Sequence, residues 1–131
     1  MQPSFYIKLY IPRHLSKKNN RNIRNNRPYK SAELKKAEEY LTLAFKNEWR
    51  SNPAMKGDLW CKIIFHCSNY YTKQGLRNRK LPDLSNLFHL PTDCLQKAGV
   101  IIDDTDICSF DGSRRIASEV NYVEIYLTVL A

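Results

Sequence analysis

The sequence predicts an α+β fold, a small mixed β-sheet packed with helices, and three observations lead there. A β-rich run stands at Leu59–Cys67, an alternating run closes the chain at Val120–Leu130, and two helical stretches lie between polar loops. At 131 residues with 43% hydrophobic content, the chain is long and apolar enough for one real core. No internal repeat or linker divides it, so residues 1–131 are read as a single domain.

The elements follow in order. Phe5, Ile7, Leu9 and Ile11 alternate onto one face of an amphipathic strand that Pro12 ends. From Arg13 to Lys30 the chain is dense in lysine, arginine and asparagine with almost no apolar residues, which predicts a polar loop outside the core. Ser31 is a good N-cap for a helix over 32–50, whose apolar stripe is Leu34, Ala37, Leu41, Ala44, Phe45 and Trp49. Ser51-Asn52-Pro53 ends it. Leu59 to Cys67 reads as the interior strand. Asn69 to Lys80 is a second basic loop, with Tyr70-Tyr71 in it. Leu84 to Lys97 predicts a helix with Gly99 as its C-cap, and Pro91 kinks it or starts a fresh turn. Val100–Ile102 predicts a short buried strand, Asp111-Gly112 a turn, and Val120–Leu130 the closing strand.

No apolar run approaches the ~20 residues that span a bilayer. The N-terminus has no basic region followed by a long apolar one, so no signal peptide is read there and a soluble, cytoplasmic protein with no membrane partner is expected. The four cysteines, Cys61, Cys67, Cys94 and Cys108, form no CxxC pair and predict reduced, mostly buried thiols. Charge is divided along the chain. Residues 1–80 carry 18 Lys and Arg against 5 Asp and Glu, whereas residues 81–131 carry 3 against 8. A basic flank beside an acidic cluster suits a phosphate polymer approaching bound metal; a solvated surface that aids solubility is the plainer alternative.

The acids of the second part bracket a helix and close an apolar run: Asp83 before Leu84, and Asp103-Asp104 after Ile102. Oxygen ligands at element ends can hold a hard cation such as Mg²⁺, with Mn²⁺ as an alternative. Each has a structural reading beside the chemical one. Asp83 alone would be taken as a helix N-cap, and Asp103-Asp104 as the cap of a solvated turn. Asp106 and Asp111 read as surface turn acids, His14 as solvent-facing and His66 as a satisfied core residue. Tyr70, Tyr71 and Trp60 read as packing rather than base-stacking groups.

Asp83-Leu84-x-Asn86-Leu87, Leu95-x-Lys97-Ala98-Gly99 and Ile102-Asp103-Asp104 follow one another without a gap, and Pro12-x-x-x-Ser16-x-x-Asn19-Asn20-Arg21 precedes them. This order resembles the RusA family of Holliday junction resolvases, Mg²⁺-dependent nucleases of bacteria and their phages. The resemblance implies a RusA-like fold and a metal held by Asp83 and Asp104, with Asp103 beside them and Asn86 orienting the acids from behind. The chain departs from the family pattern at Ser85, where a second aspartate is expected, and at His89, where a lysine is expected. Mg²⁺ accepts one or two carboxylates and fills its shell with water and phosphate, so Asp83 and Asp104 can suffice, with Ser85 binding a metal-held water. His89 can replace the lysine as a phosphate contact or proton carrier, and Asp93, one turn on, can restore the missing charge.

The function so implied is a Mg²⁺-dependent endodeoxyribonuclease that nicks four-way or branched DNA in pairs. Its catalytic residues would be Asp83, Asp104, His89 and Ser85, with no small-molecule cofactor and with a homodimer presenting two sites. Lys17, Lys18, Arg21, Arg24, Arg27 and Lys30 of the first basic loop would track backbone phosphates. Lys73, Arg77, Arg79 and Lys80 of the second would do the same. Two alternatives stand beside it: a catalytically weak branched-DNA-binding protein of the same fold, and a basic RNA-binding protein.

Overall fold

A computed structural model describes residues 4–10, 21–24, 27–30, 32–81 and 83–130, by backbone alone at 21–24, 27–30, 33 and 86. Strand β1 (Ser4–Tyr10) is followed by the short pair β2 (Arg21–Arg24) and β3 (Arg27–Lys30), then helix α1 (Ala32–Trp49) and strand β4 (Leu59–Cys67). Next come α2 (Leu84–Leu87), α3 (His89–Lys97) and a 3₁₀ turn at Asp104–Asp106. Strands β5 (Ile107–Ser109), β6 (Arg114–Ala117) and β7 (Tyr122–Val129) complete the chain. The fold is α+β with a mixed sheet, as the sequence predicts.

β7 lies between β1 and β4 and is antiparallel to both. The far edge of β4 is shared: β5 runs parallel to its start and β6 parallel to its end. Period-two alternation puts Phe5 and Ile7, Cys61 and Ile63, and Ile125 and Leu127 on one face, all buried. Onto that face α1 lays its predicted stripe. Leu34, Ala37, Leu41, Phe45 and Trp49 are buried, and Phe5 meets Phe45 and Trp49 edge-on, each with centroids 6.0 Å apart. Such ring pairs add about 1 kcal/mol each beyond the area they bury. α1 stops at Arg50, whose φ of 61° is left-handed, and the Asn52 side-chain amide then donates to the freed Trp49 carbonyl at 2.8 Å.

Several expectations change. The segment read as a polar loop from Arg13 to Lys30 contains the β2–β3 hairpin, registered Arg21↔Lys30 and Arg24↔Arg27. Ile11, Pro12, His14, Lys17, Lys18 and Ser31 lie outside the described residues. The helix from Leu84 breaks at Phe88, before Pro91 rather than at it. The reason is that Pro91 has no N–H for the Leu87 carbonyl and its ring would collide with that carbonyl, so α2 ends there and Pro91 sits in the first turn of α3. Val100–Ile102 forms no strand. Val100 and Ile101 are buried, Ile101 makes a single parallel bridge to Met55, and Ile102 is exposed. The cysteines meet the expectation of mostly buried free thiols: Cys61, Cys67 and Cys94 are buried and Cys108 is exposed.

Candidate functional site

Asp83 stands in extended backbone immediately before α2. It is exposed, and its carboxylate makes no capping bond to the helix. Asp83 thus stands at the N-cap position, as its structural reading expects, but without a side-chain capping bond. Among the described residues no ion pair engages Asp83 either.

The two acids of the later pair are used differently. Asp103 Oδ1 accepts from the Thr105 backbone N–H at 2.9 Å and from the Thr105 hydroxyl at 2.8 Å. These bonds hold the Asp103 carboxyl below its usual range and close the 3₁₀ turn. Asp103 is thereby committed to the backbone. Asp104 is exposed, and its backbone N–H donates to Gln96 Oε1 at 2.9 Å. That bond fixes Asp104 against the last turn of α3. Nothing in the sequence pattern singles out Gln96 for this part.

Asp83 and Asp104 are thus tied to opposite ends of one helical unit. Phe88, the residue at its break, keeps helical dihedrals (φ −74°, ψ −27°), so α2 and α3 run on in nearly one direction. From Asp83 to Gln96 the axial rise is on the order of 20 Å at ~1.5 Å per residue. Oxygens on one Mg²⁺ lie about 2.1 Å from the ion, hence within roughly 4 Å of one another. A straight α2–α3 unit of that length would keep these two carboxylates of one chain off a common ion. Consistently, among the described residues no group of three or more His, Cys, Asp or Glu is placed to hold a metal. Each carboxylate taken singly fits a hard dication that completes its shell with water and phosphate.

Ser85 in α2 and His89 at the start of α3 are both exposed, with the break at Phe88 between them. Asp93 is not a spare ligand. It pairs with Lys97 at 3.1 Å, and Lys97 also reaches Glu38 of α1 at 3.3 Å. The Asp93 bond above all holds the Lys97 ammonium well above its ordinary pKa. This pairing ties α3 to α1. The side chain of Asn86 is outside what is described.

Of the basic positions, Arg21, Arg24, Arg27 and Lys30 fall on the hairpin strands. Lys73, Arg77, Arg79 and Lys80 are exposed on a loop that is well braced. Tyr71 bridges to Arg77, the Asn78 amide donates to the Asn69 carbonyl at 3.0 Å, and the Arg77 guanidinium lies 4.3 Å from the Tyr70 ring centre. The loop ends at buried Leu81, two residues before Asp83, so it delivers cations beside an acid. His66 is buried and paired with Glu124 at 2.7 Å, the satisfied histidine expected.

A model of the family described as endodeoxyribonuclease RusA matches residues 10–128. No curated protein matches the chain.

Proposed function

Because the chain belongs to the RusA endodeoxyribonuclease family, we propose that it is a Mg²⁺-dependent, structure-selective nuclease that resolves Holliday junctions by paired nicks in DNA recombination and repair. The observation that carries this reading is the family match across residues 10–128, with Asp83 and Asp104 exposed at the ends of rigid elements and free of capping work. Mg²⁺, or Mn²⁺ in its place, would supply a polarised phosphate and a water of lowered pKa.

The residues would divide the work as follows. Asp83 and Asp104 hold the dication through carboxylate oxygens, and Ser85 orients a water. His89 meets phosphate or carries a proton at its exposed ring. The basic loop at 73–80 lines the approach to Asp83. On the hairpin, Arg24 is in register with Arg27 and Arg21 with Lys30, which gathers four basic positions on one short element suited to a polyanion. Phosphate contacts carry no base sequence, so shape decides what is bound.

The separation of the two acids gives the dimer a chemical purpose. A two-fold axis that sets the α2–α3 units of two chains antiparallel would bring Asp83 of one chain to Asp104 of the other, and would repeat the pair at the far end. Two sites would then face two strands. The test is a synthetic four-way junction incubated with Mg²⁺ and with EDTA. Paired nicks that need Mg²⁺ and vanish in Asp83→Asn or Asp104→Asn are expected. Tight binding without nicking would favour the catalytically weak reading, which Ser85 in place of a carboxylate supports.

A further inference from the structure

Among the described residues, the helices pack on one face of the sheet and leave Tyr6, Lys8 and Tyr10 exposed on the other. Strand register arranges the open face in rows across β1, β7 and β4: Tyr6–Tyr126–Lys62, Lys8–Glu124–Ile64 and Tyr10–Tyr122–His66. On the far side of β4, Arg114 of β6 stands beside Ile64. Tyr6 is 45% exposed and Tyr10 59%, so ring faces as well as hydroxyls meet solvent.

The rings are grouped and interleaved with cations. Tyr6 and Tyr126 lie 4.8 Å apart between centroids, and Tyr10 and Tyr122 5.8 Å. The Lys8 ammonium is 4.6 Å from the Tyr122 ring centre, and that of Lys62 is 4.3 Å from the Tyr126 ring centre. Glu124 is the one acid in these rows, and its charge is consumed internally. It accepts from the Tyr6 hydroxyl at 2.9 Å and the Tyr126 hydroxyl at 3.2 Å, and it meets His66 Nε2 at 2.7 Å. Lys8, Lys62 and Arg114 are therefore in excess.

Aromatic faces set among cations are the chemistry of single-strand binding: bases stack on rings while phosphates meet ammonium and guanidinium groups. A duplex keeps its bases inside and has nothing to stack. A second copy docked face to face would bury two sets of Lys8, Lys62 and Arg114 in one interface, against only a Glu124 from each copy that is already hydrogen-bonded to Tyr6 and Tyr126, which opposes association. Along β1, Tyr6 and Tyr10 are four residues apart, about 13 Å, so the two ring pairs have room for separate bases.

We propose that the open sheet face binds single-stranded DNA, stacking bases on the exposed rings of Tyr6 and Tyr10 with Lys8, Lys62 and Arg114 on the phosphates, while Tyr122, stacked on His66 at 3.7 Å between centroids, backs Tyr10. This surface is distinct from the α2–α3 segment and does not depend on metal. A nuclease acting at a branch point would use it to hold an unpaired strand.

The test titrates the full chain, in EDTA, into fluorescein-labelled oligothymidine and follows anisotropy. Saturable binding is expected, weakened roughly 5- to 150-fold by Tyr10→Ala and preserved by Tyr10→Phe. Lys8→Gln should weaken it and reduce the salt dependence by about 0.7 in the log–log slope. Duplex affinity and Mg²⁺-dependent junction cleavage, measured separately, should stay unchanged in Tyr10→Ala. Absence of oligothymidine binding, or equal affinity of wild type and Tyr10→Ala, would overturn the proposal. So would tighter binding of oligouridine, or a dimer that falls apart in Tyr10→Ala with single-strand affinity intact.

Discussion

Combining Asp83→Asn in one chain with Asp104→Asn in its partner tests how the two acids meet. If the ~20 Å of helix between them keeps each chain from closing its own site, a site takes Asp83 from one chain and Asp104 from the other. A dimer of one chain type then has no intact site. In the heterodimer, one site pairs two substituted residues and the other pairs two native ones. One of two sites survives, so a heterodimer purified through two different tags should nick a four-way junction at about half the wild-type rate. All its nicks should be single, so the junction is cut without being resolved. Denaturing gels separate single from paired nicks, and EDTA gives the blank. A heterodimer as inactive as the parents would refute the reasoning, because it would mean that each site is built within one chain.

Other outcomes follow from single contacts. Gln96→Ala frees the Asp104 backbone N–H and should raise the Mg²⁺ concentration needed for half-maximal cleavage about ten-fold, with junction binding in EDTA unchanged; parallel loss of both would point to misfolding instead. Glu124 is pushed up by partial burial, but hydrogen bonds from His66, Tyr6 and Tyr126 outweigh that and leave its carboxyl below the usual range. Its stabilising part is therefore complete above the unfolded value of 4.5 and is lost as pH falls through the lower folded value. The melting-temperature lead of wild type over Glu124→Gln should shrink on acidification below that point, and a lead equal at pH 7 and pH 3 would refute it. Burial pushes the Cys61 thiol up to about 12 and also raises Cys67 and Cys94, whereas Cys108 is exposed. A colorimetric thiol reagent should consume one thiol in the native protein and four in denaturant, and a second fast native thiol would contradict the burial.

The elements that bury a face were legible in the chain. β4 runs from Leu59 to Cys67 as its β-rich composition predicts, and the stripe from Leu34 to Trp49 is the buried side of α1. β2, β3, β5 and β6 were not, because strands of three or four residues at an edge or in a lone hairpin set up too little hydrophobic alternation to read. At the site, the spacing of Asp83, Asp103 and Asp104 is visible in sequence but their division of labour is not. Thr105 takes Asp103 and Gln96 fixes Asp104, and both contacts depend on the detailed geometry of the turn that the sequence placed there. The tyrosines at 6, 10, 122 and 126 belong to the polar half of two plain alternations. Which half stays open is decided by where α1 and α3 pack, and no strand pattern carries that.

The charge division of the chain acquires a spatial sense from these placements. The basic segment 73–80 precedes Asp83 and α2 in the chain, while the Asp104 backbone is held by Gln96 in the last turn of α3. An acid beside a basic loop can meet a backbone phosphate without repelling it, and an acid anchored to a separate turn can be presented to another chain. Had both carboxylates been crowded onto one short loop, their mutual repulsion would have to be offset by the ion itself. At a spacing on the order of 20 Å, about two Debye lengths at physiological salt, the two carboxylates would scarcely repel one another. On this view Ser85 need not be a defect. A third carboxylate beside Asp83 would add charge where the basic loop already balances one acid, and a hydroxyl there leaves that balance intact while still offering an oxygen to a water.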